Sequence, residues 1–180
     1  MPGARPPVSL RQRALMWLAQ REHSRKELHD KLLRWVRAQE AVQSLAARAP
    51  SAQAAGSAGP AQQPEARRIP DLLDELEAAG HLSDTRVVES RIHVRAARFG
   101  NLRIERELQQ LGVGPSEEVR STLRATELER ARSVWTRKFG QPAATAAERA
   151  KQMRFLAGRG FGADTIRAVL NSAQEDDVPD

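Results

Sequence analysis

The chain has no cysteine and no tyrosine, and only three tryptophans and four phenylalanines in 180 residues. Without thiols it can build neither disulfides nor thiolate metal sites, so a reducing compartment suits it and a cytoplasmic location is expected. No apolar stretch approaches the roughly 20 residues needed to span a bilayer. The opening MPGARPPVSL pairs two prolines and has no apolar run, so it does not read as a secretory signal. A soluble protein with no membrane partner is expected. The alternating β-branched runs that mark strands are also missing.

Catalytic patterning is missing too. His23, His29, His81 and His93 form no H-E-x-x-H pair, and His23 and His29, six apart, fall on different helix faces. Asp71, Asp74, Glu75 and Glu77 surround Leu72, Leu73 and Leu76 and read as the solvated face of a short amphipathic helix. The run GRGFG at 158–162 has no strand before it and no Gly-Lys-Ser/Thr after it, so it reads as a helix joint instead of a phosphate loop. No cofactor, metal or catalytic residue is expected, and the chain does not read as an enzyme.

What remains is helix and positive charge. Ala, Leu, Arg, Glu and Gln dominate, which predicts an all-α protein. Lys and Arg number 29 against 23 acids, giving +6 and a pI near 10.8, and four of the acids lie in the closing EDDVPD. A basic, Arg-rich surface suits nucleic acid or an acidic protein partner, because the guanidinium fork matches phosphate and carboxylate oxygens.

Capping boxes are expected at Ser24/Glu27, Thr126/Glu129 and Thr145/Glu148, with Pro70 opening one helix and Gly80 closing it. Residues 37–69 break the regularity. Their Ala-rich start, AQEAVQSLAARA, can continue the preceding helix. The stretch 50–68 has too few large apolar side chains to offset the entropy of ordering, so disorder is expected there. The tails 1–8 and 173–180 are expected to be flexible.

One phrase is written three times: LAQREHSRKELHDKL (18–32), VRAARFGNLRIEREL (94–108) and LAGRGFGADTIRAVL (156–170). Aligned, they give apolar columns Leu18/Val94/Leu156, Leu28/Ile104/Ile166 and Leu32/Leu108/Leu170. A ring column follows, His23/Phe99/Phe161, then a small column, Ser24/Gly100/Gly162. The spacing from the small residue to the later anchors is helical. Each phrase reads as a helix that stops, turns and restarts, and the repetition predicts tandem three-helix units. Third helices are expected at 70–79, 115–123 and 126–139. The units are 9–79 with the disordered insertion, 83–124, and 126–172, stacked as an elongated, curved array.

Basic residues cluster near each joint: Arg21, Arg25, Lys26, Lys31 and Arg34 in the first unit, and Arg154, Arg159 and Arg167 in the third. In the second, Arg91, Arg95 and Arg98 line one stripe of an expected helix over 83–99, and Arg103 and Arg106 continue it. These residues, Lys31 aside, are the candidate partner-binding set. Trp17, Trp35 and Trp135 are expected to pack in cores, and His23 to be a packed ring.

RALMWLAQREHSRKELHDKLL, then LLDELEAAGHLSDTRVVESRIHVRAARFGNLRIERELQQLGV, then ERAKQMRFLAGRGFGADTIRAVL closely resemble the RecX family of recombinase regulators. The three ordered blocks cover most of residues 9–171. The resemblance implies a monomer, when free, that binds the RecA filament along its groove on single-stranded DNA. It also implies restraint of strand exchange, ATP hydrolysis and the co-protease activity that triggers the DNA-damage response. The basic residues would then meet acidic RecA surfaces and single- or double-stranded DNA. The insertion at 37–69, and Ser83 with Val87 and Val88 where an acid and an aromatic are usual, depart from the family pattern. A general basic DNA-binding or nucleoid-associated helical protein is the alternative.

Overall fold

The computed structural model describes residues 8–47 and 64–175. Among the described residues there are eight α-helices and no strand, as the composition predicts. The chain divides into two compact units, one ending at Asp84 and one beginning at Thr85.

The first unit holds α1 (Leu10–Leu18), α2 (Arg25–Ala47), a 3₁₀ turn (Glu65–Arg68) and α3 (Ile69–Ala78). A capping box the sequence reading did not pick out opens α1: the Gln12 N–H donates to Ser9 Oγ at 3.2 Å and the Ser9 N–H to Gln12 Oε1 at 3.0 Å. At α2 the Glu27 N–H donates to Ser24 Oγ at 3.1 Å. The Glu27 carboxylate also accepts from Arg21. Pro70 lies in the first turn of α3, and Gly80 follows that helix with φ +74°, a left-handed stop that glycine adopts without a Cβ clash.

Leu28, Leu32, Ile69, Leu73 and Leu76 fill the core of this unit, each contributing about 1.5–3 kcal/mol by leaving water. The Ala-rich segment does continue α2, to Ala47. Residues 64–68 depart from the expected disorder: Arg67 N–H donates to the Pro64 carbonyl at 2.7 Å, and Ala66 packs on the core. The rest of the predicted disorder, 50–63, lies outside the described residues, as do 1–7 and 176–180.

The second unit holds most of α4 (Asp84–Ala96), then α5 (Asn101–Gln110), α6 (Glu117–Lys138), α7 (Ala146–Gly158) and α8 (Ala163–Glu175). The last of these runs three residues into the tail expected to be flexible, and Ala173 packs on a core. Two cores lie in this unit, one around Val87, Val88, Phe99, Ile104 and Leu108, the other around Trp135, Leu156, Phe161 and Ile166.

One continuous helix, α6, feeds both cores, through Leu123 and through Ala131, Val134 and Trp135. This corrects the expected break between 115–123 and 126–139. Thr126 is no cap; its hydroxyl donates back to the Thr122 carbonyl at 2.9 Å inside the helix, and no Gly or Pro nearby interrupts the ladder. The Thr145/Glu148 box does form.

The repeat columns are buried almost throughout. Leu28, Ile104 and Ile166, then Leu32, Leu108 and Leu170, are all core residues, and so are His23, Phe99 and Phe161. Leu18 and Gly162 are partly buried, and Val94 alone of the column residues is exposed, at 62%. Its neighbours Ile92 and Ala96 face the core, and a residue two positions from each points about 200° away around the helix.

The second joint lies against the third. Gly100 N–H donates to the Arg159 carbonyl at 3.0 Å and Leu102 N–H to the Gly160 carbonyl at 3.1 Å. Asn101 N–H donates to Glu127 Oε1 at 2.8 Å. Three of the donors that open α5 are thus satisfied by another joint and by α6. A Cβ on Gly100 would sit 2.3 Å from the Gly160 carbonyl oxygen, so this approach requires glycine.

Candidate functional site

The twelve basic residues proposed from sequence fall into two electrostatic settings. In the first unit the cations are mostly neutralised by acids of the same unit. Arg25 reaches Asp74 at 2.5 Å and Glu77 at 2.8 Å on α3. Arg21 holds Glu27 through both terminal nitrogens. Burial alone would raise the Glu27 pKa, but the Arg21 hydrogen bonds and charge outweigh it and leave the carboxyl below its ordinary value. Lys26 pairs with Asp30 at 3.2 Å, and Arg34 Nε donates to the Asp30 carbonyl at 3.2 Å.

His23 is the packed ring expected, 1% exposed. Its Nε2 lies 2.9 Å from Lys31 Nζ and its Nδ1 2.9 Å from the Arg21 carbonyl. An ammonium can only donate, so Nε2 accepts and Nδ1 carries the proton: the ring is neutral. Burial accordingly pushes its pKa down. Lys31 Nζ also stands 4.8 Å from the Trp17 ring centroid. Trp17 and Trp35 both pack on the core.

In the second unit the cations gather around a ring. The guanidinium carbons of Arg103, Arg95 and Arg159 lie 4.1, 5.3 and 5.5 Å from the Phe99 centroid, and Arg159 also lies 5.1 Å from that of Phe155. The ring face attracts each cation electrostatically. Glu107 accepts from Arg95 Nε at 2.9 Å and Arg103 Nε at 3.4 Å. One carboxylate therefore serves two guanidinia, and the terminal amino groups of both forks have no hydrogen-bond partner among the described residues.

The expected stripe Arg91/Arg95/Arg98 is broken, because α4 ends at Ala96 and Arg98 lies in the turn beyond it. Arg91, Arg98, Arg106 and Arg154 have no ion-pair partner among the described residues. Arg167 pairs with Asp164 in its own helix.

Sequence reading passed over the basic residues of α6, three of which have a distinct place in the fold. Arg137 and Lys138, in its last turn, join Arg98 and Arg159 around a cleft of about 220 Å³ floored by Val134 and Phe155. Basic residues at a helix C-terminus also complement the dipole, so their position alone did not mark them as a site. Arg130 is structural. It donates to the carbonyls of Ala96 (3.2 Å), Phe99 (2.9 Å) and Leu123 (3.0 Å) and to Asn101 Oδ1 at 2.6 Å. Burial lowers its pKa, with Glu127 opposing.

Trp135 is buried as expected, its indole N–H donating to Gln152 Oε1 at 2.9 Å. Among the described residues no three His, Asp or Glu side chains converge as metal ligands, and no helix is long and apolar enough to cross a membrane. The arrangement can hold anions by charge and by guanidinium forks.

Residues 125–170 match the family described as RecX, third three-helix domain. The regulatory protein RecX of Leptothrix cholodnii is 43% identical over 179 residues, covering 98% of this chain and 96% of that protein. That of Herminiimonas arsenicoxydans is 41% identical over 176 residues, covering 97% and 99%. The crystal structure of RecX from Lactobacillus salivarius superposes with a TM-score of 0.61 at 16% identity, covering 92% of this chain and 95% of that one, which supports the helical fold. With such identity sustained over almost the whole length of its relatives, the chain belongs to the RecX family of regulatory proteins.

Proposed function

We propose that this protein binds the RecA recombinase filament and restrains its ATPase, strand-exchange and co-protease activities in recombination, repair and the DNA-damage response. Family membership over the full chain carries this reading. The unpaired guanidinia of the second unit supply a surface on which an acidic or phosphate-bearing partner could be held. The protein acts as a monomer in the cytoplasm, without chemistry of its own. Three tandem three-helix units, 9–79, 83–124 and 126–172, are the modules of this reading, and the three separate cores support it.

The test is RecA's DNA-dependent ATPase, titrated with this protein. A dose-dependent fall is expected at substoichiometric to stoichiometric ratios. An unchanged rate at one protein per RecA would remove the proposal. A second reading, a general DNA-binding protein, is favoured by the unpaired cations. It predicts tight, steeply salt-dependent binding to naked DNA with no effect on RecA beyond competition for the strand.

A further inference from the structure

The first unit holds a cleft that lies outside the candidate basic set. Val8, Arg13, Trp35, Gln39, Gln43 and Glu65 line about 410 Å³ between α1, the exposed run of α2 and the 3₁₀ turn. Ligand clefts commonly run from about 300 to 1,000 Å³, so the size suits a small molecule. Arg13 is the focus of the cleft. Its guanidinium carbon lies 5.2 Å from the Trp17 ring centroid and 5.8 Å from that of Trp35, so two indoles shelter the cation. Its Nε is buried and has no hydrogen-bond partner. A buried donor left unpaired is costly, and one that persists in a fold calls for an acceptor.

The other polar side chains of the cleft are free as well. Arg13 has no ion pair, and Gln39, Gln43 and Glu65 have no side-chain partner, among the described residues. Gln39 and Gln43 follow Val36, the last residue that α2 gives to the core. Four residues apart, they share one helix face. From this convergence we propose that the cleft binds a small zwitterion of the α-amino-acid class. A carboxylate brings two acceptors into the guanidinium plane, where Nε lacks one. The ammonium meets Glu65. The cleft holds one cation and one carboxylate, so a plain anion would face Glu65 and a plain cation would face Arg13; only a zwitterion pairs both. The two amides donate and accept, which suits the remaining polar atoms, and Trp35 and Val8 offer apolar surface to the ligand's side chain. With a single cation in the lining, the site is built for one carboxylate and not for a polyanion. This binding goes beyond the regulatory reading and requires no recombinase.

The experiment titrates the full chain with L-phenylalanine and follows tryptophan emission, since Trp17 and Trp35 flank Arg13. A saturable change is expected, together with a rise in melting temperature, because a ligand of the folded state stabilises it. N-acetyl-phenylalanine lacks the ammonium and phenylalanine amide lacks the carboxylate. Each is expected to bind about tenfold more weakly or worse, the loss of one charged hydrogen bond. Glu65→Gln changes an exposed side chain that the fold does not use. It is expected to weaken phenylalanine by about tenfold and leave the acetylated form as it was. Arg13→Lys keeps a cation beside the indoles but loses Nε, and is expected to weaken both ligands.

No saturable change with phenylalanine up to its solubility limit would overturn the proposal. So would a blocked form that binds as tightly as phenylalanine, since one charge would then suffice. A Glu65→Gln variant that binds phenylalanine as the parent does, or an Arg13→Lys variant that does so while folded by circular dichroism, would place any binding elsewhere and sink the site.

Discussion

The two units solve the same joint differently. In the first, the joint is His23-Ser24: an imidazole bonded at both nitrogens and a hydroxyl that caps α2. In the second, both joints are Phe-Gly, and Gly100 of one joint against Gly160 of the other lets the two turns of backbone touch. The cations follow the same division. Around His23-Ser24 they meet acids of their own unit; around Phe99-Gly100 three guanidinia share one ring, and two of them share one carboxylate. Similar sequence columns thus yield a self-neutralised surface in one unit and an anion-seeking surface in the other.

The sharpest way to break the comparison is to add one methyl at a joint. Gly100→Ala places its Cβ 2.3–2.4 Å from the backbone of Gly160 and Phe161, and backbone cannot swing aside as a flexible side chain can. A loss of about 3 kcal/mol is expected from such overpacking, read by thermal melting. At the matching position of the first unit, Ser24→Ala removes the cap hydrogen bond from the Glu27 N–H, worth about 1 kcal/mol. Equal losses at the two positions would mean that the joint-to-joint contact contributes little.

Next in size is Arg130→Ala. It strips one side chain from three backbone carbonyls and Asn101, leaving part-buried acceptors without a partner. A cost of about 2–3 kcal/mol is expected, again by melting. A variant as stable as the parent would show that water replaces the guanidinium.

A pH dependence separates the units further. His23 titrates below its ordinary value of 6.5 because burial disfavours the cation. Below that value the unfolded chain takes up a proton that the folded chain refuses. Its contribution to stability is therefore intact above about pH 6.5 and lost as pH falls toward the lowered folded value. Arg21, Glu27 and Lys31 are the charged groups that face it. His23→Phe, which installs the ring found in the other two joints, is expected to shrink the gap in melting temperature between neutral and mildly acid solution. If the gap persists, another group governs the acid sensitivity.

Composition and periodicity were enough to read the helices, the joint at 158–162 and most of the buried columns, because those depend on neighbours along the chain. They were not enough to tell a paired cation from a free one. The acids that hold Arg25 are 49 and 52 residues away, and no local pattern joins them. Arg130 looks like any other arginine of α6 until its partners, at 29 to 34 residues' separation, are folded against it. Thr126 misled for the opposite reason. The S/T-x-x-E pattern is local, but a threonine inside an uninterrupted helix can spend its hydroxyl on the preceding turn.

The smallest expected effect is the most direct test of the division. Arg25 bridges Asp74 and Glu77, but its side chain is 36% exposed and those of its partners 67% and 56%. Solvent screens such pairs, so Arg25→Gln is expected to cost no more than about 0.5–1 kcal/mol. Raised salt should narrow the difference from the parent, since it screens the exposed pairs that the variant lacks. Inhibition of RecA should not change, because this cation is already engaged by its own unit, while Arg98→Gln/Lys138→Gln should weaken inhibition with little change in melting temperature. The pair of variants, each measured by melting and by ATPase inhibition, gives a crossed result if the division holds. Should Arg25→Gln weaken inhibition as much as the cleft variant does, a neutralised arginine is still available to the partner, and binding spreads over both units.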